Sequence, residues 1–310
     1  MGNNERRTSR PAPGKVFLTH FGAAGWSITD GDKVFLLDPY LSRIRFQGRK
    51  YGPTDATEVP DDPRPIVKFN EGPAVNREVV DRHVPKADYI MLSHSHFNHC
   101  MDAPYIAKKT GAVIVGTEST MNIALNGGVP EEQTLAVKGG EDYAFDTFSL
   151  RVIPSLHSAL SCKLYRDFGT VPRKDEPLTL DEYVEGGTLA YLLRVAGHEI
   201  LLFGSMNFIE REIEGLRPDI ALIASAPPRL EIEDYTARIM NCLGKPPVVI
   251  ATHWDDQGLP FGAPQDSALA HTKAFIEEVH AVSPATRTVV PLHFQAIEVD
   301  GSGGLSVTGP

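Results

Sequence analysis

Cysteine is scarce in this chain: three residues in 310, at Cys100, Cys162 and Cys242, with no CxxC pair among them. That excludes a disulfide framework and a thiolate cage for a metal, and it fits a reducing compartment. Positive charge is short as well. Lys and Arg number 30 against 40 Asp and Glu, for a formal net charge of −10. A nucleic-acid surface draws most of its binding free energy from basic residues that neutralise phosphates, so no such partner is expected and a nuclease role recedes. No apolar run approaches the roughly 20 residues of a membrane span. The opening Met1–Gly14, with Arg6, Arg7 and Arg10, lacks the apolar core of a secretory leader. A cytoplasmic protein with neither membrane nor nucleic-acid partner is the expectation, and homo-oligomer formation stays open.

What is present is enough apolar residue, 42% of the chain, to build a full core. No fixed-period repeat interrupts it. A single domain over 15–300 is expected, after a disordered segment 1–14 and before a flexible Gly-rich tail 301–310, with loop insertions at about 42–78 and 158–187. Short strands are expected at Lys15–His20 and Lys33–Leu37, joined by a turn around Gly22 and Gly25 and closed by Asp38-Pro39. From Asp88 onward strands alternate with helices. The series is strand Asp88–Ser93, helix Ala103–Lys109, strand Ala112–Gly116, helix Ser119–Leu125, then strands around Phe145–Ile153. Strands Thr188–Val195 and Glu199–Phe203 form a hairpin across Ala196-Gly197, followed by helix Ile209–Gly215. Strand Ile220–Ala224, helix Asp234–Leu243, strand Val248–Thr252, helix Asp266–Val282 and strand Thr288–Pro291 complete it. The pattern alone supports a mixed α/β domain.

The chemistry is concentrated in Ser93-His94-Ser95-His96-Phe97-Asn98-His99, directly after the apolar run Tyr89–Leu92. A strand running into a turn delivers three imidazoles to one pocket, and neutral imidazole is the commonest protein ligand for zinc and related cations. The alternative is a polar turn with incidental histidines. Two further apolar strands end in the same way, at His157 and at His253, the latter followed by Trp254 and Asp255. Each of those two could instead simply cap a backbone carbonyl. His20 and His293 also end apolar runs and read as structural, while His83, His198, His271 and His280 carry no signal.

The 94–99 segment resembles the His-x-His-x-Asp-His signature of the metallo-β-lactamase superfamily, with Asn98 where the family has Asp. The resemblance covers about Val16–His293 and lies nearest the branch containing ascorbate-phosphate lactonase-like proteins. It implies an αββα sandwich of two mixed sheets flanked by helices, with candidate ligands at strand ends along one rim. It further implies that His94 and His96 join His157 in a first metal site, while His99 and His253 belong to a second. The family's bridging aspartate follows a Gly at a strand end. Here Gly204 is followed by Ser205, so that carboxylate is missing.

Three neutral imidazoles leave a divalent cation its full charge and an open position, so water there is acidified toward roughly pH 7. One divalent metal is expected at His94, His96 and His157, zinc first and iron or manganese as alternatives. A second metal is weak or absent, because Asn98 offers only an amide oxygen. Catalytic roles are expected for Asn98, His99 and Asp255, the last two as substitutes for the missing proton acceptor. Substrate contacts are expected from Arg43 and Arg45, which sit with Arg49 and Lys50 in one segment, and from Phe97 and Trp254; Phe46 and Tyr51 could add apolar walls. The resulting expectation is a hydrolase for a lactone, ester or amide bond of a small organic anion. A phosphodiesterase, a metal-poor binding or scaffold protein and a mononuclear iron oxidoreductase are the alternatives.

Overall fold

The structure, a computed structural model, describes residues 13–47, 61–159, 163, 167–176 and 178–308. The expected disorder of 1–14 therefore falls almost wholly outside the described residues, as do Arg49, Lys50, Tyr51 and Cys162. The strands are Val16–Gly22 (β1), Gly25–Thr29 (β2), Val34–Leu37 (β3), Arg45–Gln47 (β4), Ile66–Lys68 (β5), Tyr89–Met91 (β6), Val113–Gly116 (β7), Thr134–Ala136 (β8) and Asp142–Ala144 (β9). They continue as Ser149–Pro154 (β10), Leu189–Val195 (β11), His198–Phe203 (β12), Ile220–Ala224 (β13), Val248–Thr252 (β14), Arg287–Val289 (β15), Ala296–Val299 (β16) and Leu305–Thr308 (β17). Helices are Arg77–His83 (α1), Phe97–Cys100 (α2), Ala103–Thr110 (α3), Glu118–Asn126 (α4), Glu210–Ile213 (α5), Tyr235–Cys242 (α6) and Asp266–Val282 (α7).

One sheet runs β17-β16-β1-β2-β3-β6-β7-β8 and the other β15-β14-β13-β12-β11-β10-β9, while β4 and β5 form a separate parallel pair. Both large sheets are mixed. The parallel strands read as unbroken apolar runs because they are covered on both faces, and every residue of β13 and β14 is buried. Inner faces meet through Leu18, Trp26, Phe35, Leu150, Tyr191, Leu202 and Ile250. One outer layer packs Val80, Ile106, Ala107 and Ile123 against the first sheet, and the other packs Ile239, Phe275 and Val279 against the second. This is the αββα sandwich.

Two hydrogen bonds tie the sheets together beside the histidine-bearing strand ends. The Trp26 indole donates to Thr252 Oγ1 at 2.7 Å, one residue before His253, and the Tyr191 hydroxyl donates to the Leu92 carbonyl at 2.7 Å, one residue before Ser93. Buried polar atoms at these points are satisfied across the core, so the strand ends are fixed relative to each other.

The structure adds elements that the sequence expectation lacked, among them α2, β8 and β16. The Gly22–Gly25 turn leads into a full strand, β2, whose Trp26 and Ile28 face the core. The insertion at 42–78 carries β4, β5 and the start of α1. The tail expected to be flexible forms β17, paired antiparallel to β16 through a turn in which Asp300 Oδ1 accepts from Ser302 N and Gly304 N. Asx chemistry in Asp300-Gly301-Ser302-Gly303 is a turn signal that composition alone disguises as a loose tail. Among the described residues no helix is long and apolar enough to cross a membrane.

Candidate metal centre

The parallel strands β6 and β14, and β10, which is antiparallel to both its neighbours, run at their C-terminal ends into the segments bearing His94, His253 and His157. His96 caps the N-terminus of the four-residue α2, which places His99 one turn on. The imidazole centroids of His94, His96 and His157 form a near-equilateral triangle of 4.8, 4.7 and 4.7 Å. One nitrogen from each lies within 4.8 Å of the others. His99 stands 3.8 Å from His94 by ring centroid and His253 5.3 Å from His99, so the five rings are contiguous.

Each ring's hydrogen bonds settle which nitrogen faces the centre. The His157 Nδ1–H donates to the Ser158 carbonyl at 3.0 Å, which leaves Nε2 with the lone pair. His96 is turned the other way: its Nε2–H donates to Asp167 Oδ2 at 2.6 Å, and Nδ1 is the ligand nitrogen. The Ser93 hydroxyl donates to Asp38 Oδ2, so its oxygen accepts the His94 Nδ1–H at 3.0 Å. His94 Nε2 is buried without a hydrogen-bond partner among the described residues, as is His253 Nδ1. Leaving such an atom unpaired costs about 1–3 kcal/mol, which a cation at that point removes. The donor set therefore fits a divalent metal.

Burial keeps His94, His99 and His157 neutral, the form that ligates. It pushes His94 and His99 well below the ordinary imidazole range, with further lowering from the neighbouring histidines, and it brings His157 down to about 3.

Two features of the scaffold hold these rings. Ser205 is not a ligand here: its hydroxyl accepts Ser158 N at 2.9 Å, and Asn207 Nδ2 donates to the His157 carbonyl at 3.1 Å, so the segment after β12 clamps the His157 turn. Gly204 leaves room for the Asp38–Ser93 contact, since a Cβ there would collide with Ser93 Oγ and Asp38 Oδ2.

A family model described as "Beta-lactamase superfamily domain" matches residues 17–253. The chain belongs to the beta-lactamase superfamily. A relative named UPF0173 metal-dependent hydrolase, from Anaeromyxobacter sp. (strain K), is 28% identical over 187 residues, 59% of this chain and 56% of its own length. The chain thus spans about half the length of the curated relatives it matches. Among solved structures, a metallo hydrolase from the archaeon Ignicoccus hospitalis superimposes with TM-score 0.56 at 16% identity, covering 92% of this chain and 98% of that one. CmlA, a diiron beta-hydroxylase from Streptomyces venezuelae, superimposes with TM-score 0.55 at 13% identity, covering 94% of this chain and 55% of that one. These likenesses show the metallo-β-lactamase fold.

Several residues of this superfamily member sit elsewhere than their sequence suggests. Arg43 does not overhang the rim: it is 1% exposed, with Nη1 on Asp255 Oδ2, Nε on the Leu259 carbonyl and Nη2 on the Asp256 carbonyl, each at 2.6 Å. That corrects its assignment as a substrate contact. Asp255 is likewise no proton acceptor. Its Oδ1 accepts Ala23 N at 2.7 Å and its Oδ2 accepts His293 Nε2 at 2.8 Å. Burial alone would raise this carboxyl, but Arg43 with His293 and His20 holds it well below the usual carboxylate range. Its role is structural, because Ala23 in turn accepts His253 N at 2.9 Å and so pins a residue with φ of +46°. Trp254 is 2% exposed and lies roughly parallel to His20 and His293, so it belongs to the core and does not wall a pocket.

Arg45 lies half-buried in β4. Phe97 is half-buried, edge-on to Tyr40 and Phe69 at 6.1 Å each. Asn98 is buried in α2, between His96 and His99 in sequence. The Cys100 thiol donates to the Ser95 and His96 carbonyls, away from any ligand role. Sequence reasoning missed Asp38 and Asp167. Asp38 reads as the end of a strand before proline, and Asp167 lies 71 residues from the histidine it touches.

Proposed function

We propose that the protein is a metal-dependent hydrolase that activates water to cleave a lactone, ester or amide bond in a small organic molecule. One observation carries this: three imidazoles, from two strand ends, converge within 4.8 Å with a buried nitrogen of His94 lacking any partner among the described residues. His94 Nε2, His96 Nδ1 and His157 Nε2 would hold one divalent cation. Bound there, such a cation supplies Lewis acidity that lowers the pKa of water and polarises the scissile carbonyl.

The chain's own residues supply orientation and proton handling. Asp38 Oδ2 accepts the His99 Nδ1–H at 2.8 Å, so His99 presents the Nε2 lone pair as the proton acceptor for attacking water. That assignment takes the place of Asp255. His253 and His99 remain the residues for a weak second cation, which would occupy the same His99 Nε2 and so exclude it as the proton acceptor. Asn98 beside them adds no negative charge. Arg43, engaged internally, is not free to meet a negative group on the substrate.

The test is turnover of a lactone, an aryl ester, an aryl amide and a bis-aryl phosphate by zinc-loaded protein, with His94→Ala as control. Acyl hydrolysis lost in His94→Ala supports the proposal. Phosphodiester cleavage alone moves the bond assignment to the runner-up, and coloured, oxygen-consuming protein without hydrolysis rejects it.

A further inference from the structure

We propose that Asp167 is a positioning residue of the metal centre, fixing His96 as the one member of the triad that binds through Nδ1. This rests on the metal-dependent reading above. The Asp167 carboxylate is 3% exposed and 2.6 Å from His96 Nε2. It is held there by a closed ring of contacts. The Asp167 carbonyl accepts Glu185 N at 2.9 Å, the Glu185 carbonyl accepts Ser95 N at 2.9 Å, and Ser95 precedes His96 in the chain. Ser95 Oγ also donates to the Val184 carbonyl at 2.6 Å. Backbone and side chain of Asp167 are thus both registered against the motif.

The three ligand rings are not supported alike. His94 donates to the Ser93 hydroxyl and His157 to the Ser158 carbonyl, both neutral acceptors, whereas His96 donates to a carboxylate. A charged acceptor raises the basicity of the opposite nitrogen and places a negative charge one imidazole away from a cation. Asn98 and Ser205 provide no such charge. Asp167 therefore places a negative charge behind one ligand of the first site, where the motif itself supplies none.

The experiment measures zinc affinity of the full chain by chelator competition, for wild type, Asp167→Asn, Asp167→Ala and Asp175→Asn, the last removing an exposed carboxylate of the same segment. Asp167→Ala should bind about 10–100-fold more weakly and Asp167→Asn less severely, with Asp175→Asn within about twofold of wild type. In parallel, nitrogen NMR of metal-free protein should find His96 protonated at Nε2 in wild type and mixed in Asp167→Ala. Asp167→Ala affinity within twofold of wild type overturns the proposal. So does a cobalt-loaded spectrum showing that the substitution removes a metal-bound oxygen, which would make Asp167 a ligand. If wild type binds no zinc, the hydrolase reading fails, and His96 protonated at Nδ1 in wild type overturns the orienting role separately.

Discussion

Asp38 Oδ2 accepts the His99 Nδ1–H at 2.8 Å and the Ser93 hydroxyl at 2.5 Å, while Asp38 Oδ1 accepts Ser93 N at 2.7 Å. One fully buried carboxylate at the end of β3 therefore orients His99 directly and His94 through Ser93. Its own φ of +42° is unusual for a residue with a Cβ. Burial pushes this carboxyl up, and the hydrogen bonds from the Ser93 hydroxyl and amide act against that by favouring the charged form. Asp38→Asn keeps the volume and swaps the preferred hydrogen of the pair. Turnover should fall on the order of 100-fold or more while one equivalent of metal is retained. Unchanged turnover would remove His99 from proton transfer.

On the proposed reading, Asn98 limits a second metal. Two cations a few ångströms apart repel and need an anion between or beside them, and an amide supplies none. Asn98→Asp should tighten a second equivalent at His99 and His253, read by titration calorimetry with zinc. A second equivalent that stays as weak as in wild type would show that another residue controls nuclearity.

The Arg43–Asp255 pair, 1% and 0% exposed by side chain, is a support of the rim. Asp255→Ala leaves a buried guanidinium uncompensated, and unfolding in urea should show a loss of about 3–5 kcal/mol. The double variant Arg43→Met, Asp255→Ala should recover part of that loss. A double variant whose loss equals the sum of the losses of Asp255→Ala and Arg43→Met would mean the pair is not coupled.

His20 makes stability fall on the acid side. Burial disfavours its cation and brings it down to about 4 from an ordinary 6.5, despite the attraction of Asp255. Between those values the unfolded chain takes up a proton that the folded chain refuses. Its stabilising contribution is therefore complete above pH 6.5 and drains as pH falls toward 4. Metal-free wild type should lose about 2–3 kcal/mol more than His20→Phe between pH 7 and pH 4.5 in urea titrations. Parallel pH profiles for the two proteins would mean that His20 is charged in the fold.

The strands and the histidines at their ends were legible from local pattern, whereas the sandwich and the grouping of His157 with His94 and His96 came from the resemblance to the metallo-β-lactamase superfamily. Apolar strands such as Ile220–Ala224 and Val248–Thr252 announce themselves, and His94 and His96 are two residues apart. His157 and His253 were findable because each follows such a strand. Partners in three dimensions were not legible. Arg43 read as a surface cation because its acceptors, Asp255, Asp256 and Leu259, lie more than 200 residues away, and Asp255 read as a base for the same reason. Asp167 stood in a polar loop with no periodicity to mark it. Gly25–Thr29 was hidden because a glycine pair signals a turn more strongly than five residues signal a strand.

Elemental analysis of protein purified without added metal and dialysed extensively tests the triad most directly. Wild type should retain about one equivalent of a divalent metal, and His94→Ala and His157→Ala should retain almost none while keeping the wild-type circular dichroism. Two tightly held equivalents in wild type, or one equivalent that survives both substitutions, would contradict it.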